Sequence, residues 1–210
     1  MAHASGQPAG FRLRAGLGLL AILFVAGCAA TPKQETQRGP ESAEDPTSAR
    51  ADTEIDLFQR AISSLDRRQF ERAEADLRTI TRRSPDLAGP WINLALVSVQ
   101  RKDMQGAQQN VAKALERNPR MAQAHALAGF IEAERGNISK AIEYYEKAVA
   151  LKPDYALAHY NLALLHDIYL HNVPVAVQHY KRYLELSKYQ DQKTADWVVE
   201  LERILLKGAK

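Results

Sequence analysis

The 210-residue sequence predicts an all-α fold: a solenoid of about four helix–turn–helix repeats, closed by one more helix at the C-terminus. Three observations carry this. Pro85, Pro119 and Pro153 stand 34 residues apart, twice without slippage, and a fixed period of this length is the signature of stacked helical pairs. Three ladders keep the same phase: Ala73, Ala107 and Ala141; Leu77, Val111 and Tyr145; Ile80, Ala114 and Ala148. Small residues let paired helices approach, and larger ones fill the space beside them. Finally, Trp197, Val198, Leu201, Ile204 and Leu205 form one apolar stripe at helical spacing, as a helix covering the open end of a repeat array requires.

Taken in order, repeat one opens after Thr53, an N-cap with Asp56 three residues on. Its first helix carries Ile55, Leu57, Phe58, Ala61, Ile62 and Leu65, and its turn falls near Arg68-Gln69 without a glycine. The second helix runs from about Phe70 to Arg82 and stops at Ser84-Pro85-Asp86. Proline fits such a junction because its missing N–H does least harm there. Repeat two begins at Pro90-Trp91, turns near Lys102-Asp103 and closes at Asn118-Pro119. Repeat three turns at Gly136-Asn137, where glycine accepts the left-handed conformation that ends a helix, and closes at Leu151-Lys152-Pro153-Asp154. Repeat four opens with Tyr160-Asn161-Leu162-Ala163 and then loses phase. Ala176, not Val175, continues the small ladder, which predicts one inserted residue in the His171-Asn172-Val173-Pro174 turn. Tyr183 then occupies a normally small position, and Lys188 stands where proline is expected.

The period, together with Ala128-Gly129, Gly136-Asn137, Ala141, Tyr145, Ala148 and Tyr160-Asn161-Leu162-Ala163, resembles the tetratricopeptide repeat (TPR) family over residues 54–189. Residues 190–210 are read as the capping helix and tail. The resemblance implies that the first helix of each pair lines a concave groove. By phase, that face carries Phe58, Ile62, Ile92, Leu96, Val99, Phe130, Tyr160 and Leu164, with Asp66, Gln100, Glu134 and Ile168 alongside. An exposed apolar face of this size marks a binding surface for a protein partner, entering as an extended peptide or an amphipathic helix. The alternative is that neighbouring helices or the N-terminal segment already cover it. The lysines and asparagines with which some TPR domains clamp a C-terminal carboxylate are not at these positions.

The N-terminal end reads as a targeting segment. Arg12 and Arg14 precede an apolar stretch from Ala15 to Ala26, and Val25-Ala26-Gly27-Cys28 places the single cysteine of the chain at its end. This resembles the lipobox of bacterial lipoproteins. It implies a signal peptide over 1–27, lipid attachment at Cys28, and, since Ala29 and Ala30 follow rather than aspartate, an anchor in the outer membrane facing the periplasm. The apolar run is shorter than the roughly 20 residues of a membrane-spanning helix. Residues 28–53 hold Pro32, Pro40 and Pro46 among polar side chains and predict a disordered linker. Its root-mean-square span is roughly 25–30 Å.

Cleavage before Cys28 removes two arginines and no acid, so the formal charge of +3 falls to +1. Such near-neutrality gives no argument for nucleic acid as partner. No phosphate loop, nucleophile elbow, CxxC or HExxH pattern is present, and no enzymatic activity, metal or cofactor is expected. His125 and His159 fall in the position that Trp91 fills in repeat two and read as aromatic packing between helices. The chain is similar in kind to the small TPR lipoproteins that act as pilotins in pilus or secretion-system assembly. The alternatives are TPR lipoproteins that serve as adaptors for peptidoglycan hydrolases or proteases, and TPR components of energised envelope or gliding systems.

Overall fold

The computed structural model describes residues 53–208. The expected signal peptide, Cys28 and the linker up to residue 52 lie outside the described residues. Within them the chain is helical, with no strand. Four antiparallel pairs follow one another: α1 (Glu54–Asp66) with α2 (Phe70–Arg83), α3 (Ala88–Gln100) with α4 (Met104–Arg117), α5 (Ala122–Glu134) with α6 (Ile138–Leu151), and α7 (Ala156–Leu164) with α8 (Val173–Leu186). A π-helical turn, Leu165–Tyr169, prolongs α7, and α9 (Gln192–Gly208) ends the described chain. Each first helix packs on its own partner and on the second helix of the preceding pair, while α9 packs on α8. No described helix is long and apolar enough to cross a membrane.

Through the first three repeats the 34-residue period holds to the residue. First helices begin at Glu54, Ala88 and Ala122, and second helices begin at Phe70, Met104 and Ile138. The local chemistry explains the boundaries. The Thr53 hydroxyl accepts from the Asp56 amide (3.2 Å) while the Asp56 carboxylate accepts from the Thr53 amide (3.1 Å), the capping box expected at the start of α1. Asp103 caps α4 by accepting from the Gly106 amide at 2.8 Å. Between paired helices the chain reverses on one left-handed residue, Arg68 (φ 58°), Lys102 (φ 61°) or Gly136 (φ 80°). The next amide in each case reaches back to a carbonyl five residues earlier: Gln69 to Ser64, Asp103 to Ser98, Asn137 to Glu132, at 2.8–2.9 Å. Only the third repeat uses glycine, so Arg68 and Lys102 are held in a conformation that costs an L-residue about 1–2 kcal/mol.

The ladders form the core. Ala73, Ala107, Ala141 and Ala176 are fully buried, with Leu77, Val111, Tyr145 and Tyr180 beside them. On the facing helices Ala61, Ala95, Gly129 and Ala163 keep the same period. Where the third repeat puts the large Tyr145, the facing position is glycine. A Cβ on Gly129 would lie 3.0 Å from the Tyr145 ring and 3.1 Å from the Ala141 carbonyl oxygen.

The inserted residue of repeat four is real, but it is not in the His171–Pro174 turn. His171 is left-handed (φ 49°) and Asn172 donates to the His166 carbonyl at 2.8 Å. These residues repeat the roles of Gly136 and Asn137, so the extra residue lies between His166 and His171. The backbone takes it up as the π turn, with Leu170 N–H bonded to the Leu165 carbonyl at 3.2 Å. A π turn widens the helix by one residue without breaking its hydrogen bonding.

That widening presents Asp167 to the cap. Its carboxylate accepts from the Trp197 indole (2.7 Å) and from the Tyr180 hydroxyl (3.3 Å), where the preceding repeats carry Ala133, Val99 and Leu65. Lys188 and Tyr189, both left-handed at φ 53° and 54°, turn the chain into α9. Asp191 caps that helix by accepting from the Thr194 amide (3.1 Å) and hydroxyl (2.7 Å). Burial opposes the charge on Asp191, but these bonds and one from the Tyr183 hydroxyl outweigh it and hold its pKa below the ordinary value. Of the expected capping stripe, Val198 and Leu201 are buried and Trp197 and Leu205 half-buried, whereas Ile204 is 46% exposed and lies at the rim.

Candidate functional site

The groove residues come from α1, α3, α5 and α7, as the phase argument requires, but they are not equally open. Phe130 (5% exposed), Val99 (3%) and Ile92 (9%) are core residues and offer little surface to a partner. The cause is the position of α5. It is packed between α4 and α6 and also touches α3, so every residue from Ala126 to Glu132 is buried. Five residues stay half-buried: Phe58, Ile62 and Leu96 towards the first repeat, and Tyr160 and Leu164 in the fourth. Phe58 and Ile62 lean on a core of Ala61, Leu65, Leu77 and Leu94. Tyr160 and Leu164 lean on the C-terminal core. Tyr160 packs its ring on Tyr183 (4.9 Å between centroids) and edge-on against Tyr180 (5.9 Å). Burial, followed by the Asp191 charge, pushes the Tyr160 phenol up. Asp66, Gln100 and Glu134 are exposed and Ile168 is half-buried. The result is two apolar areas on the first helices, rimmed by polar and acidic side chains, with a filled middle.

Two carboxylates, Asp76 and Glu132, are buried rather than solvent-facing. Asp76 is buried and accepts a bidentate pair of bonds from Nε and Nη2 of Arg60, at 2.8 Å each. Glu132 is buried and accepts from Asn137 (2.7 Å), Gln108 (3.1 Å) and Arg135 (3.4 Å). Both serve the array. Arg135 also donates to Gln108 of the preceding repeat at 2.8 Å. One period earlier Arg101 bonds Glu74, and Glu71 at 3.1 Å. The two arginines tie successive repeats together. At the next junction Tyr169 and Leu170 stand in that region, both exposed.

The residues at Trp91, His125 and His159 do more than pack. Each places a ring nitrogen on the carbonyl of the proline six residues before it: Trp91 on Pro85 (2.9 Å), His125 on Pro119 (2.8 Å) and His159 on Pro153 (3.2 Å). The bonds tie each first helix to the preceding junction. The legible signal was the constant six-residue offset, which periodicity alone did not connect to a carbonyl. Lys113 lies 4.2 Å above the Trp91 ring. Among the described residues no group of three or more His, Cys, Asp or Glu side chains is arranged to hold a metal.

The architecture defines a class before it suggests any particular protein: the chain is an all-α solenoid with the TPR fold. Residues 129–166, running from α5 through α6 into α7, match the TPR repeat family model. Among solved structures the chain is similar to a thermophilic TPR protein of Thermus thermophilus, with 21% identity, 71% of this chain and 81% of that one covered, and a TM-score of 0.59. It is similar to pilF of Pseudomonas aeruginosa, with 22% identity, coverage of 73% and 70%, and a TM-score of 0.64. It is also similar to MamA of Desulfovibrio magneticus, with 22% identity, coverage of 66% and 78%, and a TM-score of 0.56. A search of the curated proteins gives no match. These likenesses concern the fold.

Proposed function

We propose that this chain is a scaffold anchored by a lipid at Cys28 to the periplasmic face of the outer membrane, and that it binds a protein partner along its first helices in pilus or secretion-system assembly. The observation that carries the reading is the pair of half-buried apolar areas, Phe58, Ile62 and Leu96 on one side and Tyr160 and Leu164 on the other, on the face that TPR solenoids use for binding. Two separated areas with a filled middle suit an amphipathic helix or extended segment that contacts both. The polar rim set by Asp66, Gln100 and Glu134 fixes its register. The resemblance to pilotin-type lipoproteins and the fold likeness to pilF support the setting.

The test is crosslinking and affinity capture from cells, comparing the wild type with a Leu96→Glu, Leu164→Glu double variant whose helicity is checked by circular dichroism. Selective loss of one envelope protein from the variant supports the reading and names the partner. Equal capture by both overturns it. Mass spectrometry of the purified mature chain tests the anchor separately. An acylated N-terminal Cys28 is expected, and an unmodified chain retaining residues 1–27 overturns the lipoprotein reading.

A further inference from the structure

A cavity of about 580 Å³ lies between α6 and α8, and two histidines meet at its wall. His159, on α7, is buried and directs Nε2 at the Pro153 carbonyl (3.2 Å) and Nδ1 at Nδ1 of His179 on α8 (3.0 Å). The proton placement follows from these partners. A carbonyl only accepts, so the neutral His159 ring carries its hydrogen on Nε2 and has a lone pair on Nδ1. His179 must then donate from its own Nδ1. Adding one proton is tolerated if His179 changes tautomer, because His159 then donates to it. Adding a second puts hydrogens on both facing nitrogens, and the contact cannot survive. The His179 ring is also stacked on His166, 6.2 Å away with planes 14° apart, and Nδ1 of His166 is buried without a hydrogen-bond partner.

Most of the charged groups around this contact are engaged elsewhere, and none is hydrogen-bonded to either ring. On α6, Glu146 lines the cavity; on α8, Lys181, Arg182 and Glu185 do. Glu185 is bonded to Arg182 at 3.0 Å and Lys181 to Glu202. On the π turn, Asp167, next to His166, is occupied by Trp197 and Tyr180. The arrangement is specific to this repeat. At the position of His179 the third repeat has Tyr144, facing His125 with centroids 6.1 Å apart, and the second has Asn110. Among the described repeats, the fourth alone closes its two helices with a pair of imidazoles.

We propose that the His159–His179 contact is an acid-sensitive latch: neutral, it holds α8 to the start of α7 and the Pro153 junction, and protonation of both rings releases α8 together with α9. The energetics agree in sign. Burial, then the neighbouring His159 and His166 rings, hold His179 down to about 4. Burial also lowers His159, against the pull of the Pro153 carbonyl and with the help of Arg182. An open form whose imidazoles titrate near the ordinary value of about 6.5 therefore gains on the closed form as the pH falls from about 6.5 towards 4.

The experiment is hydrogen exchange of the full chain at about pH 7.5 and about pH 5, corrected for intrinsic rates. The expected result at the lower pH is roughly tenfold or greater extra exposure of 173–186 and 192–208 relative to 54–117. His179→Asn keeps a donor without a titrating ring, and His179→Tyr recreates the His–Tyr pair of the third repeat. Each is expected to cut the selective part of the response to the smaller share left by His159 while remaining helical at pH 7.5. A uniform response along the wild-type chain overturns the latch, and so does the same selective response in whichever variant folds.

Discussion

The first three repeats and the fourth are built from one template and held together differently. In repeats one to three, helix boundaries recur every 34 residues, each turn uses one left-handed residue, and Arg101 and Arg135 bridge to the repeat before. In repeat four the period slips by one, a π turn takes up the extra residue, and the arginine bridge gives way to exposed Tyr169 and Leu170. Cohesion there comes from an aromatic and carboxylate cluster: Asp167 with Trp197 and Tyr180, and Asp191 with Tyr183 and the start of α9. A regular array is stabilised by what each repeat shares with its neighbours. Its end, with only one neighbour, needs contacts of its own.

The largest test of this contrast lies at its centre. Phe130→Ala is expected to cost about 3–5 kcal/mol, because Phe130 is a core side chain of the buried α5. A change below about 1 kcal/mol in urea unfolding would instead mark it as an open groove residue. Next in size, Asp167→Ala removes the carboxylate that accepts from both the Trp197 indole and the Tyr180 hydroxyl. A loss of about 2–3 kcal/mol is expected, with exchange protection falling in α8 and α9 and unchanged in α1 to α4. A loss spread evenly over the chain would mean that the two regions are one cooperative unit. Gly129→Ala should destabilise by about 1 kcal/mol, the overpacking against Tyr145 and the Ala141 carbonyl exceeding the gain in helix propensity; an increase in melting temperature would show that α5 can shift away. The smallest effect is at the turns. Lys102→Gly should stabilise by up to about 1 kcal/mol, since its φ of 61° suits glycine, and unchanged stability would show that the turn already relieves that strain.

The same contrast explains what could be read from the sequence. The prolines and the alanine ladders revealed the helices and their pairing, because a small residue at a helix crossing and a proline at a junction are local necessities that recur with the repeat. The capping box at Thr53 was legible for the same reason. Burial of Phe130 and Val99 was not, because phase identifies the face of a helix and not whether neighbouring helices leave that face open. The insertion in repeat four was legible as a slip between Ala141 and Ala176. Its location was not, since a turn and a widened helix absorb one residue equally well in the pattern. The burial of Asp76 and Glu132 was not legible either, because their partners, Arg60 sixteen residues away and Gln108 twenty-four residues away, lie on other helices.

The chain contains two tryptophans, and each belongs to one of the two regimes. The Trp91 indole donates to the Pro85 carbonyl beneath the Lys113 ammonium, and the Trp197 indole donates to the Asp167 carboxylate. The molecule therefore carries its own pair of optical reporters. With Trp197→Phe the emission follows the regular array alone, and with Trp91→Phe it follows the terminal clasp, so ordinary fluorescence can time the opening of either end without an added label.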